Sequence, residues 1–148
     1  MDILHVSLFG HREIDDIREL DDKLMPLIQE LIQTRTYISF FVGRNGEFDE
    51  YAASVIKRAQ KVLGKENSEL TLVLPYTVAD IEYCKEYYDS VIIPENLYGV
   101  HPKSAITAKN RWMAEHSDLV IVYVKRNNGG AYTAMKYAEK LQKKVVKL

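Results

Sequence analysis

The fold is decided by a stretch late in the chain: Asn110-Arg111-Trp112-Met113, then Ser117-Asp118, the apolar run 119–124, and Gly129-Gly130-Ala131. This order predicts the end of a helix, a buried strand, and a second helix that begins at the glycines. Backbone N–H groups at the start of a helix are unpaired and carry the positive end of the helix dipole. The stretch therefore predicts a site for a negatively charged ligand beside a central strand.

Apolar runs of strand length alternate with helical patterns along the rest of the chain. Strands are predicted at 3–9, 37–42, 70–74, 91–93, 119–124 and 145–146, and helices at 14–32, 48–63, 78–88, 102–116 and 131–141. This alternation predicts a Rossmann-like, three-layer α/β/α protein with a mainly parallel central sheet, and residues 1–148 are predicted to form a single domain. Pro26 lies within the first helical pattern, so a kink or break is expected near Met25.

Glycines, cations and amides recur after three of the predicted strands. In open parallel sheets, ligands bind beyond the carboxyl ends of the strands, where the strand order reverses. The first strand is followed by Gly10-His11-Arg12, the second by Gly43-Arg44-Asn45-Gly46 and Asp49, and the strand 119–124 by the segment 125–130. Although the second loop matches neither the Rossmann nor the Walker pattern of glycines, the three loops together predict one pocket.

The first loop offers two polar groups to an anion. Arg12 has a planar guanidinium suited to phosphate, and His11 offers a hydrogen-bond donor. Gly10 has a structural alternative, because a glycine at the end of a strand commonly serves to turn the chain.

The remaining polar positions also have alternatives. Asp49 is suited either to the positive start of the following helix or to a ribose hydroxyl or base. Asn110 lies on the apolar face of its helix, so its amide needs a partner, which is either a backbone group or a ligand. Arg111 is one step round the helix, where it either faces solvent or helps to neutralise a phosphate.

Composition bears on the class of protein and its partners. The apolar content of 47% and charged content of 28% are typical of a globular protein, and a single cysteine, Cys84, excludes an internal disulfide. The N-terminus shows no signal-peptide pattern and no run has the length of a membrane span, so a cytoplasmic protein without a membrane partner is predicted. Because the net charge is −1 and the sequence has no basic stripe, nucleic acid is not an expected partner, despite a local excess of lysine near the C-terminus.

No group of residues predicts a catalytic or metal centre. His101 and His116 have no partner at the spacing of metal ligands. Ser7, Cys84 and the tyrosines show no nucleophile–base arrangement. The sequence therefore predicts neither catalytic residues nor a metal, and it firmly implies no cofactor.

Together, these loops resemble the SLOG superfamily, and more narrowly its small bacterial DUF1273 (YpsA-like) and DUF2493-type members. The resemblance rests on Gly10-His11-Arg12, the segment 43–49 and the stretch from Asn110 to Ala131, in the expected order over nearly the whole chain. It implies a Rossmann-like fold, a nucleotide or nucleotide-derived ligand, and a homodimer. Related branches include the Lonely Guy (lysine-decarboxylase-like) phosphoribohydrolases, the DNA-processing protein DprA, and sensor domains of bacterial conflict systems.

The chain departs from these relatives at the position that matters for catalysis. The Lonely Guy enzymes have a Pro-Gly-Gly-x-Gly-Thr-x-x-Glu loop whose glutamate serves N-glycosidic cleavage. Here Tyr132 replaces a glycine of that loop, and Lys136 stands where the glutamate is expected. A protonated lysine does not perform that carboxylate's general acid/base chemistry, so the chain is expected to bind rather than hydrolyse. Lys109-Asn110 likewise replaces the family's Arg-Asn.

We therefore predict a stand-alone SLOG domain that binds a small anionic, nucleotide-like ligand in a sensory or regulatory role. One alternative is a nucleotide-processing enzyme that uses Glu13, Glu47 or Asp49, and a second is single-stranded nucleic-acid binding by analogy with DprA. N–H groups near Gly129-Gly130 and in the segment 43–46 would hold phosphate, Arg12 with Arg44 or Arg111 would neutralise it, and Asp49 and Asn110 would bind ribose or base. The predicted ligand-binding residues are Gly10, His11, Arg12, Gly43, Arg44, Gly46, Asp49, Asn110, Arg111, Gly129, Gly130 and Ala131.

Overall fold

Strands and helices alternate along the chain, as the sequence predicts. The computed structural model describes residues 2–34 and 36–148. The strands are β1 (Ile3–Gly10), β2 (Tyr37–Val42), β3 (Ser68–Val73), β4 (Ser90–Ile92), β5 (Leu119–Tyr123) and β6 (Lys144–Lys147). The α-helices are α1 (Ile17–Ile32), α2 (Glu47–Leu63), α3 (Ile81–Tyr87), α4 (Pro102–Glu115) and α5 (Gly130–Lys140), and a 3-10 helix covers Glu95–Leu97. The predicted boundaries agree with these to within a few residues.

All six strands form one parallel sheet of order β4-β3-β2-β1-β5-β6. The chain moves outward from β1 to β4 on one side, then crosses back to place β5 on the other side of β1. The strand order therefore reverses between β1 and β5. Because crossovers between parallel strands are right-handed, this reversal moves the later helices to the opposite face of the sheet. The predicted Rossmann-like three-layer fold is confirmed.

Two apolar cores hold the helices against the sheet. One lies under α1, α2 and α3 and contains the fully buried Leu24, Phe40 and Phe48. The other lies under α4 and α5 around Met113 and Val122. Each fully buried side chain of this size contributes about 1.5–3 kcal/mol, so the cores fix both helical layers. Within residues 2–34 and 36–148, no helix has the length and apolar character needed to cross a membrane.

Local signals set where two helices begin at the carboxyl edge of the sheet. The Asp16 carboxylate accepts hydrogen bonds from the backbone N–H groups of Arg18 and Glu19, both at 3.1 Å, and so caps α1. Gly129 precedes α5 with φ of 93°, a left-handed conformation that glycine adopts at little cost. This turn directs the start of α5 toward the end of β1.

Helix α1 is continuous through Pro26, so of the predicted kink or break near Met25 the break is absent. A proline inside a helix removes one hydrogen bond and costs about 3 kcal/mol. The buried face of α1 consists of Leu20, Leu24, Ile28 and Ile32. At about 1.5–3 kcal/mol for each of these side chains, packing outweighs the cost of the proline.

Pro26→Ala is therefore expected to stabilise the protein by about 1–2 kcal/mol. Pro26 is exposed, so the change restores a backbone N–H for the Asp22 carbonyl without disturbing the core. Urea denaturation followed by circular dichroism measures the change, with Glu30→Ala on the same exposed face as the matched control. A Pro26→Ala protein less stable than the parent would contradict this account of α1.

Candidate functional site

A cavity opens at the carboxyl ends of β1 and β5, where the strand order reverses. This switch-point cavity has a volume of about 200 Å³ and is lined by the loops after β1, β2 and β5 and by α4. The predicted residues that line it are Gly10, His11, Arg12, Gly43, Asp49, Asn110, Gly129, Gly130 and Ala131. Asn45, Lys109 and Arg126, which were not predicted as site residues, line it as well. The three loops singled out in the sequence therefore meet at one place.

Two glycines allow the loops to approach the helices closely. A Cβ atom at Gly10 would overlap the ring of Phe48, which is fully buried. A Cβ atom at Gly43 would fall on the Nζ atom of Lys109. Neither glycine has a left-handed φ, so the requirement at these positions is space rather than backbone conformation.

The inner wall of the cavity carries a buried pair of opposite charges, Lys109 and Asp49. Lys109 is 1% exposed and Asp49 is 8% exposed. The Asp49 carboxylate accepts a hydrogen bond of 2.8 Å from the backbone N–H of Asn45. Within residues 2–34 and 36–148, the Lys109 ammonium has no hydrogen-bond partner, and its only charge interaction of note is with Asp49. The Lys109 Nζ atom is not among the fully enclosed unpaired atoms of the described residues, so it reaches the cavity and has open hydrogen-bonding capacity there.

Burial acts on both members of this pair. It lowers the pKa of Lys109, while the negative charge of Asp49 opposes that shift. It raises the pKa of Asp49, while Lys109 and the Asn45 N–H oppose that shift. Both charged forms are therefore costly at this buried position. An anion in the cavity would supply the partner that the ammonium lacks.

His11 joins the loop after β1 to the loop after β5. Its side chain is 4% exposed, and its Nε2 atom accepts a hydrogen bond of 2.9 Å from the backbone N–H of Lys125. Burial lowers the pKa of His11, the positive charge of Arg126 lowers it further, and Asp15 acts in the opposite direction. The ring is therefore neutral at pH 7 and carries its proton on Nδ1, since Nε2 acts as the acceptor.

Arg12 and Arg126 stand at the exposed rim of the cavity. The Arg12 carbonyl accepts a hydrogen bond of 2.9 Å from Glu47 N–H, which anchors this loop to the start of α2. Gly46 does not line the cavity; its backbone lies so close to the Arg12 Cα atom that a Cβ there would collide with it. Gly46 thus contributes by positioning Arg12.

Two predicted arginines lie elsewhere. The Arg44 guanidinium makes two hydrogen bonds with the Asp80 carboxylate, at 2.8 and 2.7 Å, and these raise its pKa. Arg44 does not line the switch-point cavity, because its guanidinium is bound to a carboxylate at the start of α3; its predicted contact with a ligand stays a prediction. Arg111 lies over the ring of Tyr137, 5.1 Å from its centroid, and lines a neighbouring cavity instead.

The carboxylates of the enzymatic alternative are not gathered at the cavity, apart from Asp49. Glu13 and Glu47 do not line it, and Glu47 accepts a hydrogen bond from the backbone N–H of Ile14 at 3.1 Å. Lys136 also lies outside the cavity, on an exposed side of α5, where its ammonium is 3.6 Å from Glu139.

Lys109 is the most buried of the three lining residues that sequence reasoning missed. It was noted only as a replacement for an arginine in the Lys-Asn pair. The available signal was its helical spacing, since it lies one turn from Ala105 and one turn from Met113, both of which are buried. A lysine on the buried stripe of a helix is rare unless it is paired or binds something.

Fold and cavity together define a Rossmann-like α/β protein with a cavity at its topological switch point, the place where ligands bind in open parallel sheets. No protein-family model matches the sequence, and no curated protein matches it either. Among solved structures, DNA processing protein A (DprA) from Streptococcus pneumoniae is similar, with a TM-score of 0.73 and 17% identity over 98% of this chain. DprA from Helicobacter pylori, whose structure was described for its single-stranded DNA binding mode, is similar with a TM-score of 0.66 and 17% identity over 97% of this chain.

The present chain matches only part of these proteins, covering 50% of the S. pneumoniae protein and 64% of the H. pylori protein. The comparison nevertheless contradicts the prediction that nucleic acid is not a partner, since one of these similar proteins was described for its single-stranded DNA binding mode. That prediction rested on the balanced charge of the sequence and on its lack of a basic stripe. Net charge averages over the whole surface, whereas two loops and helix α4 bring Arg12, Arg126 and Lys109 to one cavity.

Proposed function

We propose that the switch-point cavity binds a phosphate group of single-stranded nucleic acid. The observation that carries the proposal is Lys109, a 1% exposed lysine on the cavity wall whose ammonium has no hydrogen-bond partner within residues 2–34 and 36–148. Taking such a charge out of water is costly, and a phosphate oxygen would offset that cost with a charge-assisted hydrogen bond.

The rest of the cavity suits the same group. The start of α5 lies beside it, and the first N–H groups of a helix are unpaired and favour an anion. Arg12 and Arg126 add two positive charges at the rim, whereas the one carboxylate among the lining residues is Asp49, already engaged by Asn45. The balance of charge at the cavity is therefore positive although the chain as a whole is not.

The choice of a nucleic-acid strand rests on the fold. Nearly the entire chain superposes on DprA proteins, one of which was described for binding single-stranded DNA. That similarity also supports the inferred relationship to the SLOG superfamily, while the narrower DUF1273 relationship rests on the sequence motifs. Proteins that bind single strands commonly combine a cationic track for phosphates with planar groups for bases.

A second candidate is a free nucleotide-derived ligand that uses the same contacts. It is favoured by the form of the site, which is a single cavity of about 200 Å³ rather than a groove that would follow successive phosphates of a strand. In that case a mononucleotide would bind as tightly as a strand, and lengthening the strand would add no affinity.

The test is fluorescence anisotropy with a labelled oligodeoxythymidine of roughly 15 nucleotides. Arg12→Ala is expected to weaken binding about 10-fold and to reduce the salt slope by about 0.7, because one phosphate contact is lost. Arg18→Ala, which removes an exposed arginine in the first turn of α1 outside this cavity, is the matched control.

The outcomes separate the two candidates. Salt-dependent binding of the strand that is lowered by Arg12→Ala and unaffected by Arg18→Ala supports the proposal. Binding of thymidine monophosphate without stronger binding of the strand assigns the cavity to a free nucleotide. Absence of binding to both probes, or equal effects of the two arginine variants, would overturn a phosphate site here.

A further inference from the structure

A second cavity adjoins the first between α4 and α5. This α4–α5 cavity has a volume of about 260 Å³. It shares Ile106, Asn110 and Gly130 with the switch-point cavity, so the two spaces meet at the first residue of α5. A group held in one cavity is therefore next to a group held in the other.

One wall of the α4–α5 cavity is a pair of planar groups. The Arg111 guanidinium lies 5.1 Å from the centroid of the Tyr137 ring. The Tyr137 hydroxyl donates a hydrogen bond of 2.5 Å to the Glu115 carboxylate, which fixes the orientation of the ring. Guanidinium and aromatic planes are the surfaces on which nucleobases stack.

Asn110 lies at the junction of the two cavities. It is half-buried, and within residues 2–34 and 36–148 its amide has no hydrogen-bond partner. An amide presents both a donor and an acceptor, as does the edge of a nucleobase. Of the two partners predicted for the Asn110 amide, the backbone group is not found among the described residues, and the ligand is the one that remains.

We propose that the α4–α5 cavity is a nucleobase subsite for the nucleotide whose phosphate occupies the switch-point cavity. The base stacks on the Arg111–Tyr137 wall, and its edge forms hydrogen bonds with the Asn110 amide. This inference rests on the proposed function, and it applies equally to a base turned out of a strand and to a free nucleotide. It assigns Arg111 to the base rather than to the phosphate.

The test compares two strands of equal length, an oligodeoxythymidine and an oligomer of abasic tetrahydrofuran phosphates. The parent protein is expected to bind the strand with bases more tightly than the abasic strand. Tyr137→Ala is expected to lower affinity for the strand with bases about 10-fold and to leave affinity for the abasic strand unchanged. Tyr137→Phe is the matched control, because it keeps the ring and loses only the hydrogen bond to Glu115. Thr107→Phe, an exposed position on the cavity wall, is a second variant that fills the space from α4.

The subsite is supported when Tyr137→Ala and Thr107→Phe lower affinity for the strand with bases and leave affinity for the abasic strand unchanged. It is overturned when the parent protein binds both strands equally, although the phosphate site then stands. Failure of both strands and of thymidine monophosphate to bind removes the proposed function and the subsite together. The same comparison is made with thymidine monophosphate and deoxyribose 5-phosphate. Tighter binding of thymidine monophosphate, which carries the base, identifies a free nucleotide as the source of the base.

Discussion

Lys109→Met is expected to reduce affinity for the oligodeoxythymidine by roughly 100-fold, since the ammonium would make two hydrogen bonds to phosphate worth about 1.5 kcal/mol each. Methionine keeps a long apolar side chain on the buried stripe of α4, so packing around the stem is largely preserved. The salt slope is also expected to fall by about 0.7, the value for one lost phosphate contact on a single strand. Anisotropy titrations at several salt concentrations measure both quantities.

Two further variants separate binding from folding. Lys103→Met removes the same charge from an exposed position in the first turn of α4 and should leave binding unchanged. Lys109→Met leaves Asp49 buried without its counter-ion, a change that costs about 3–5 kcal/mol when a buried pair is broken. Asp49→Asn together with Lys109→Met removes both charges and should recover part of that stability without recovering affinity. A folded Lys109→Met protein with parental affinity would refute the role of the ammonium.

Gly10→Val is expected to destabilise the protein by about 3 kcal/mol or more, as overpacking of a close-packed core does. The new Cβ would overlap the Phe48 ring, which is fully buried and stacked on Tyr123 with ring centroids 5.8 Å apart. The ring has no space to move away, so the strain must be spread through the core between β1, β5 and α2.

Urea denaturation measures this loss, with Gly130→Ala as the control. Gly130 also lines the switch-point cavity, but a Cβ there has no atom within 4 Å and its φ is not left-handed. Replacing Phe48 with leucine in a Gly10→Ala background should restore part of the stability by making room. Parental stability of Gly10→Val would show that the close approach of β1 and α2 is not required by the fold.

These two predictions show how differently the sequence bears on neighbouring residues. Gly10 was expected at the ligand because it follows a strand, and it does line the cavity. Its closest constraint, however, is Phe48 from α2, far along the chain. Periodicity places each residue on a face of its own element, but it does not show which side chain of another element will meet it.

The sequence by itself determined the order of elements, the parallel α/β architecture and the edge of the sheet where the three loops meet. Strand and helix periodicity is a local property, and parallel strands joined by helices must place their carboxyl ends on one edge. The continuity of α1 was decided by tertiary packing and not by the sequence pattern. The local effect of Pro26 is outweighed by burial of Leu20, Leu24, Ile28 and Ile32.

Only the tertiary structure decided which charged side chains line the cavity. Packing of α4 against the sheet buries Lys109 beside Asp49, and α3 brings Asp80 to Arg44 and so draws that arginine away. Such pairings join residues from different elements and depend on the distance and burial between them. A net charge of −1 could therefore coexist with a positive cavity at the switch point, since electrostatic energy depends on where charges lie and not on their sum.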